Sequence, residues 1–220
     1  MESSPVNGQL TELQRAVLSE FFRRERGFFL TGGAALAGYY LGHRRTDDLD
    51  LFTTDEAAFS RSRYVMPAVA EALGGCVDVR QDAPDFRRYA VTRGPDVLVV
   101  DLVRDRVPQM RPTKAEIDGV LIDSPEEILA NKLTALVGRQ EERDIVDVYF
   151  LEQTGLRVED ALEPALAKDG GCTPATLAWL LSQITIDDGA ALPGEVRPEA
   201  LRKYVSELVR RLRRKGAPAP

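Results

Sequence analysis

Asp48 and Asp50 stand two residues apart in the run Asp48-Leu49-Asp50-Leu51-Phe52. Residues i and i+2 of a β-strand point to the same face, so two carboxylates are expected side by side, with Leu49 and Leu51 turned the other way. Like charges next to each other weaken a sheet face unless something positive sits between them. A hard divalent cation such as Mg²⁺ or Mn²⁺ would supply that charge, because it prefers carboxylate oxygens and substrate phosphates as ligands. Some fifty residues later the run DVLVVDLV carries one interior charge, Asp101, in an otherwise apolar strand. A lone buried carboxylate is costly unless it is paired or binds a metal. Asp48, Asp50 and Asp101 therefore form a candidate set of metal ligands.

Gly32-Gly33 precedes the aspartates and sits between a short apolar run and a helical one. Backbone without side chains can approach a triphosphate closely, and a helix opening at Ala34 would aim N–H groups at it. Taken alone the pair also reads as a simple turn, and Asp-x-Asp alone as a surface acid pair. The order narrows the choice: strand, Gly-Gly, helix, Asp-x-Asp strand, then an isolated strand aspartate. His43 is the single histidine, which excludes a Ser-His-Asp triad and a His-rich metal site. Arg44 and Arg45 either neutralise phosphates or balance Asp47.

Elements able to position these residues can be read along the chain. Leu10, Leu13, Val17, Leu18 and Phe21 recur at helical spacing and predict a helix over 9–24. Residues 28–30 predict a short buried strand, 34–41 a helix and 48–52 a half-buried strand. Thr54-Asp55-Glu56 opens a helix that Gly74-Gly75 stops. Strands follow at 76–80, 86–92 and 97–103, the last two joined as a hairpin by Arg93-Gly94-Pro95-Asp96. Residues 105–113 are irregular, contain two prolines and mark a boundary. Beyond it, Ser124-Pro125-Glu126-Glu127 supplies an N-cap, a first-turn proline and a capping-box glutamate. That helix runs to about Arg139, and others are expected at 141–152, 158–167, 173–183 and 199–214. Ile145, Val148 and Tyr149 are expected inward with Asp144 opposite them. Trp179, Leu201, Tyr204, Val205, Leu208 and Leu212 are expected in the core.

The stretch "GGAALAGYYLGHRRTDDLDLF" resembles the AbiEii/AbiGii toxin family of nucleotidyltransferases, within the polymerase-β-type superfamily. The segment "ANKLTALVGRQEERDIVDVYFL" is similar to that family's Lys-Leu-x-Ala…Arg-Asp-x-x-Asp-Leu segment. Two positions depart from the pattern: Ala34 stands where many relatives have a hydroxyl, and Thr46 where Ser is commoner. The resemblance implies an α+β fold, a polymerase-β-like core of a small mixed sheet with flanking helices, followed by a helical C-terminal domain. On that division residues 1–112 form the nucleotidyltransferase domain, and 113–220 a helical domain contributing to the nucleotide cleft. The implied reaction moves a nucleotide from an NTP to an acceptor hydroxyl. Asp48, Asp50 and Asp101 would act as metal ligands, with Asp101 also helping to deprotonate the acceptor. Gly32 and Gly33 would hold phosphate. Lys132, otherwise a residue that snorkels to solvent, would reach the phosphates. Asp144, otherwise a helix-start acid favoured by the dipole, would act as a base or orient Lys132, while Asp147 reads as structural. The implied biology is a toxin of a type IV-like toxin–antitoxin system that modifies RNA, such as a tRNA 3′ end, with a cognate antitoxin. A small-molecule nucleotidyltransferase of the antibiotic-modifying kind and a catalytically inactive nucleotide-binding or interaction module stand as alternatives.

Composition sets the remaining bounds. Across 220 residues, 44% hydrophobic and 29% charged content is that of a globular protein rather than a disordered one. Cys76 and Cys172 lack ligand spacing and are expected as buried, reduced thiols. The start MESSPVNGQL has no basic-then-apolar leader pattern, and no apolar run approaches a bilayer's thickness, so a cytoplasmic protein is expected. The net charge is −6, yet residues 197–215 hold eight Arg/Lys against two Glu. That segment is either a local phosphate footprint or a solvated helix end.

Overall fold

The computed structural model describes residues 9–139 and 141–216. The start read for a leader and the tail 217–220 lie wholly or largely outside the described residues. The chain divides into two units, one running to Arg106 and resuming at Arg111–Ser124, the other formed by Val107–Met110 and the residues from Pro125 onward.

The first unit is built on a seven-stranded mixed sheet. In chain order its elements are α1 (Glu12–Arg24), β1 (Phe29–Thr31), α2 (Gly32–Ala35), β2 (Asp48–Thr53), α3 (Glu56–Ala72), β3 (Cys76–Ala83), β4 (Phe86–Arg93), β5 (Asp96–Arg104), β6 (Ala115–Ile117) and β7 (Val120–Ile122). The strands lie in the order β3-β4-β5-β2-β1-β7-β6. This puts the Asp-x-Asp strand near the middle, antiparallel to β1 and parallel to β5. Leu49 and Leu51 alternate with the half-buried aspartates and are fully buried, as are their register partners Val100 and Leu102. Arg87 belongs to the same face and identifies what covers it. Its guanidinium donates to the Phe59 carbonyl and to Ser62 Oγ of α3, and stacks 4.1 Å over the Phe59 ring.

Most elements follow the expected pattern, and the differences have local causes. The helix expected at 34–41 starts at Gly32 and passes into a π-helical turn, Leu36–Tyr40, closed by Leu41 N–H on the Leu36 carbonyl. The π turn lets the Tyr40 hydroxyl donate to the Asp123 carbonyl at 2.9 Å. The strands β6 and β7 fall where helices alone were expected. Their turn is Asp118-Gly119, both at positive φ, a dipeptide that favours two-residue hairpins. Cys76, expected buried, lies exposed at the start of β3; Cys172 is buried.

The second unit is helical: α4 (Pro125–Gly138), α5 (Glu142–Gln153), α6 (Val158–Lys168), α7 (Pro174–Ser182) and α8 (Pro198–Lys215). Ile128, Leu129, Leu133, Leu136, Val148, Leu151, Leu177 and Leu181 make its apolar centre, closed by the Leu201-Val205-Leu208-Leu212 stripe of α8. Trp179 does not join them and is 62% exposed. Leu177, Ala178, Leu180 and Leu181 already fill the inward arc of this short helix, which leaves Trp179 on the outward side. Tyr204 is half-buried because its hydroxyl must reach Glu152, 2.8 Å away. No helix among the described residues is long and apolar enough to cross a membrane.

The N-terminus of α1 ties helix formation to the loop before β2. Thr11 caps it, and Gln14 completes a capping box with the Thr11 backbone N–H. The Gln14 side-chain amide also donates to the Thr46 carbonyl across 2.8 Å of buried space. Replacing Gln14 with Leu keeps the size but leaves that carbonyl without its donor and removes half of the capping box. A loss of about 1–3 kcal/mol is expected, measured by urea unfolding; a stability change below a few tenths of a kcal/mol would show that Gln14 does not tie the two together.

Candidate active site

Strand register places the charged residues of the first unit in a line. Thr31 of β1 pairs with Asp50 of β2, Asp50 with Asp101 of β5, and Asp101 with Arg88 of β4. Register partners share a face, so a row runs Thr31, Asp50, Asp101, Arg88 across four strands. Asp48 projects from the same face one pleat away, as its spacing requires. The next row in the other direction is apolar, with Phe29, Phe52, Val103 and Phe86 in successive partnership. The Phe29 and Phe52 rings are 6.4 Å apart.

The positive charge beside Asp101 is a side chain. Arg88 Nε donates to Asp101 Oδ1 at 2.8 Å and Nη2 to Oδ2 at 2.7 Å, the two-pronged geometry that makes such pairs strong. The Asp101 side chain is 8% exposed and that of Arg88 is 47% exposed. Asp101, by its hydrogen bonds and its charge, raises the Arg88 guanidinium above its ordinary range, and the charges of Asp48 and Asp50 add to the effect. All three carboxylates therefore act on one guanidinium. Sequence reasoning missed Arg88, although the signal was present. Counting back along the hairpin from its Gly94-Pro95 turn puts Arg88 opposite Asp101.

The glycine pair lies directly against this row. Gly32 has φ +64°, and a Cβ there would come within 2.5 Å of Asp50 Oδ2. A Cβ on Gly33 would meet Arg44 Nη2 at 2.6 Å and Thr46 Oγ1 at 3.3 Å. Thr46 in turn donates to Asp48 Oδ1 at 3.0 Å, so the hydroxyl two residues upstream orients the first aspartate. Arg44 packs on the glycine turn, and Asp47 is exposed. At the far end of the row Thr31 Oγ1 donates to Asp123 Oδ2 at 2.9 Å, and Lys114 Nζ to Asp123 Oδ1 at 2.7 Å. Asp123 is fully buried.

These residues fit a hard cation in part. The donors are all carboxylate oxygens, and Asp48 and Asp50 share one half-buried face. Both oxygens of Asp101 are engaged by Arg88, and among the described residues no group of three His, Cys, Asp or Glu is placed to hold a metal ion.

Lys132 and Asp144 lie in the second unit. Lys132 does not snorkel: its side chain is 7% exposed, and Nζ lies 2.7 Å from both Asp144 Oδ1 and Asp147 Oδ2. Asp144 is completely buried on the inward side of α5 rather than opposite its apolar stripe. Arg139 clamps it, with Nε 2.8 Å from Oδ2 and Nη2 3.0 Å from Oδ1. Burial alone would raise the Asp144 carboxyl, but Arg139 and Lys132 outweigh it and hold the group below its usual range. Charged residues default to the outside of a helix pattern, and only the partners on α4 and its C-terminal end show that these face inward.

The family model described as nucleotidyl transferase AbiEii toxin, type IV TA system, matches residues 16–218. No curated protein sequence matches the chain. Among solved structures, JHP933 from Helicobacter pylori is similar at 20% identity, covering 93% of this chain and 90% of that one, with a TM-score of 0.59. A second H. pylori chain, named as a nucleotidyltransferase, is also 20% identical, over 95% of this chain and 100% of that one, with a TM-score of 0.54. At these identities the likeness is one of fold.

Lys132→Met leaves two fully buried carboxylates short of a cation, and a loss of about 3–5 kcal/mol is expected in denaturant unfolding. Because the folded Asp144 carboxyl is held low, its contribution to stability is complete above the unfolded value, about 3.9. That contribution is lost as the pH falls through the folded value. Asp144→Asn should therefore flatten the acid limb of a stability–pH profile below about pH 4. An unchanged limb would show that the pair carries no such linkage.

Proposed function

The chain belongs to the AbiEii nucleotidyl transferase toxin family, and from that membership we propose a reaction in which a nucleotidyl group passes from an NTP to an acceptor hydroxyl on RNA, such as a tRNA 3′ end. The chain is a nucleotidyltransferase; the metal, the acceptor and a cognate antitoxin as partner are the proposed parts. The observation that carries the reading is the contact between Gly32 and Asp50. Phosphate-cradling backbone and carboxylate must lie within reach of one phosphate group, and a glycine at positive φ with no Cβ allows that approach.

In this reading the amides of Gly32-Gly33 and the Arg44 guanidinium hold the NTP phosphates. Asp48, oriented by Thr46, and Asp50 hold a divalent cation, Mg²⁺ or Mn²⁺. When bound, such an ion stabilises the attacking and leaving oxygens of an in-line displacement. The acceptor oxygen bonds to the α-phosphorus, the bond to the β-phosphate oxygen breaks, and pyrophosphate leaves. The hydroxyl proton passes to Asp101 at a lone pair that Arg88 does not occupy. Phe52 and Phe86 offer an apolar wall beside the reacting row. Lys132 and Asp144 are proposed as further residues on which transfer depends.

Incubating the chain with each labelled NTP, Mg²⁺ and total RNA should label RNA with one nucleotide, and Asp48→Ala should abolish the transfer. Label found on an aminoglycoside instead would replace RNA by a small-molecule acceptor, and transfer surviving Asp48→Ala would remove the proposed centre. Gly32→Ala tests the contact itself. A non-glycine residue at this φ costs about 1–2 kcal/mol, while the new Cβ displaces the Asp50 carboxylate. Transfer should fall at least tenfold in a protein that still unfolds cooperatively.

A further inference from the structure

Residues 197–215 concentrate positive charge in a chain of net charge −6, and the reaction proposed above leaves that charge without a role. We propose that the outward face of α8 is a docking surface for the phosphate backbone of the acceptor RNA, which it holds by charge without reading the sequence. The inference rests on the RNA reading above and adds to it the element of the second unit that meets the RNA.

Lys203, Ser206, Arg210, Arg213 and Arg214 are exposed and recur at helical spacing along one side of α8. The Leu201-Val205-Leu208-Leu212 stripe is buried on the other side and holds the helix to its unit, so packing makes no demand on the outward residues. At 1.5 Å of rise per residue the cations from Lys203 to Arg214 span about 16 Å. That length meets several successive phosphates of a nucleic-acid strand. Among the described residues, Ser206, Val209, Arg210, Arg213 and Arg214 line one open groove.

Pairing separates these cations from other surface arginines. Arg23, Arg63 and Arg80 are also exposed, and each lies against a carboxylate. Arg211, on the flank of α8, is engaged by Glu152 and Glu159, and Arg210 by Glu207 one turn back. Lys203, Arg213 and Arg214 have no ion pair or hydrogen bond from their side chains among the described residues. The helix dipole favours cations in the last turn only, which accounts for Arg213 and Arg214 but not for Lys203 or Arg210. A solvated helix end therefore does not explain the stripe. Its chemistry selects the partner. From Lys203 to Arg214 the exposed residues are all polar or charged, so the face lacks the apolar anchors that a membrane-surface helix inserts. It also lacks the apolar centre that a protein interface buries. A phosphate backbone needs neither, because the attraction is one of charge and the guanidinium fork matches phosphate oxygens.

The full chain carrying Lys203→Gln, Arg213→Gln and Arg214→Gln tests the surface, by fluorescence anisotropy with labelled bulk tRNA between about 50 and 200 mM salt. The slope of log affinity against log salt should fall by about two to three, near one for each phosphate contact removed. Affinity at the middle of that range should weaken at least tenfold, and transfer to RNA should lose the same factor in KM with kcat unchanged. The three side chains are exposed, so the melting temperature should stay close to that of the wild type. Arg213→Lys with Arg214→Lys keeps the charge and should keep the slope. Arg23→Gln, Arg63→Gln and Arg80→Gln together remove the same net charge from paired sites and should leave tRNA affinity within twofold of the wild type. Equal weakening there would reduce the effect to net charge and overturn the proposal. Unchanged tRNA affinity and labelling in the α8 variant would also overturn it, and would leave the RNA reading standing; if that variant instead lost binding to phosphatidylserine-containing vesicles, the stripe would belong to a membrane. A wild type that neither binds nor labels tRNA would remove the RNA reading and this inference together.

Discussion

Asp101 and Asp50 are partners on adjacent strands, one buried and one half-buried, with Asp48 one pleat away on the same face. Such a group of like charges persists only where something balances it, and for Asp101 the two short bonds from Arg88 supply the balance. Much of the first unit can be understood as what keeps that group in place. β2 lies centrally because Leu49 and Leu51 are covered on the other side, and the aspartates follow from the alternation. β4 lies next to β5 because the hairpin at Gly94 sets the register, and the register delivers Arg88.

The glycine turn and the loop before β2 depend on the same row. Gly32 can approach Asp50 because it has no Cβ, and Gly33 makes room for Arg44. The loop carrying Arg44 and Thr46 is held by Gln14, which also caps α1. A helix cap, a buried side-chain amide, a threonine hydroxyl and the Asp48 carboxylate therefore form one connected path from Thr11 to Asp48. A single chain of hydrogen bonds thus links groups more than thirty residues apart in the sequence.

Much of this was legible beforehand, and the exceptions have physical reasons. The Asp-x-Asp strand, the β4–β5 hairpin and the order of the helices follow from periodicity and turn chemistry, and the family resemblance carried the α+β class. The β6–β7 hairpin escaped because each strand has three residues, too few for alternation to show, although Asp118-Gly119 marked its turn. Arg88 could have been found by carrying the hairpin register one step further. Trp179 and Cys76 show the opposite error. Both are residue types that prefer burial, but the arc of α7 and the edge position of β3 leave them outside. Asp144 and Asp147 were placed outward or left unplaced because burial of an acid depends on a partner, and Lys132 lies on another helix.

Buried acids are balanced in two ways in this chain, by a cation enclosed with them or by one that reaches into water. In the second unit Lys132 is buried with two fully buried aspartates, and Glu127 with Lys168 repeats the arrangement. A cation enclosed with its anions cannot exchange with solvent or with another ion without opening the helices around it. In the first unit Lys114 and Asp123 form another such pair, but in the carboxylate row Asp101 is enclosed while Arg88 reaches into water. Its long side chain can swing away at the cost of two hydrogen bonds, provided another positive charge takes its place. A site that must admit a charged substrate and release a charged product needs that second kind of pairing. The exposure of the arginine, more than the burial of the aspartate, therefore supports the proposal that the carboxylate row is the reacting centre.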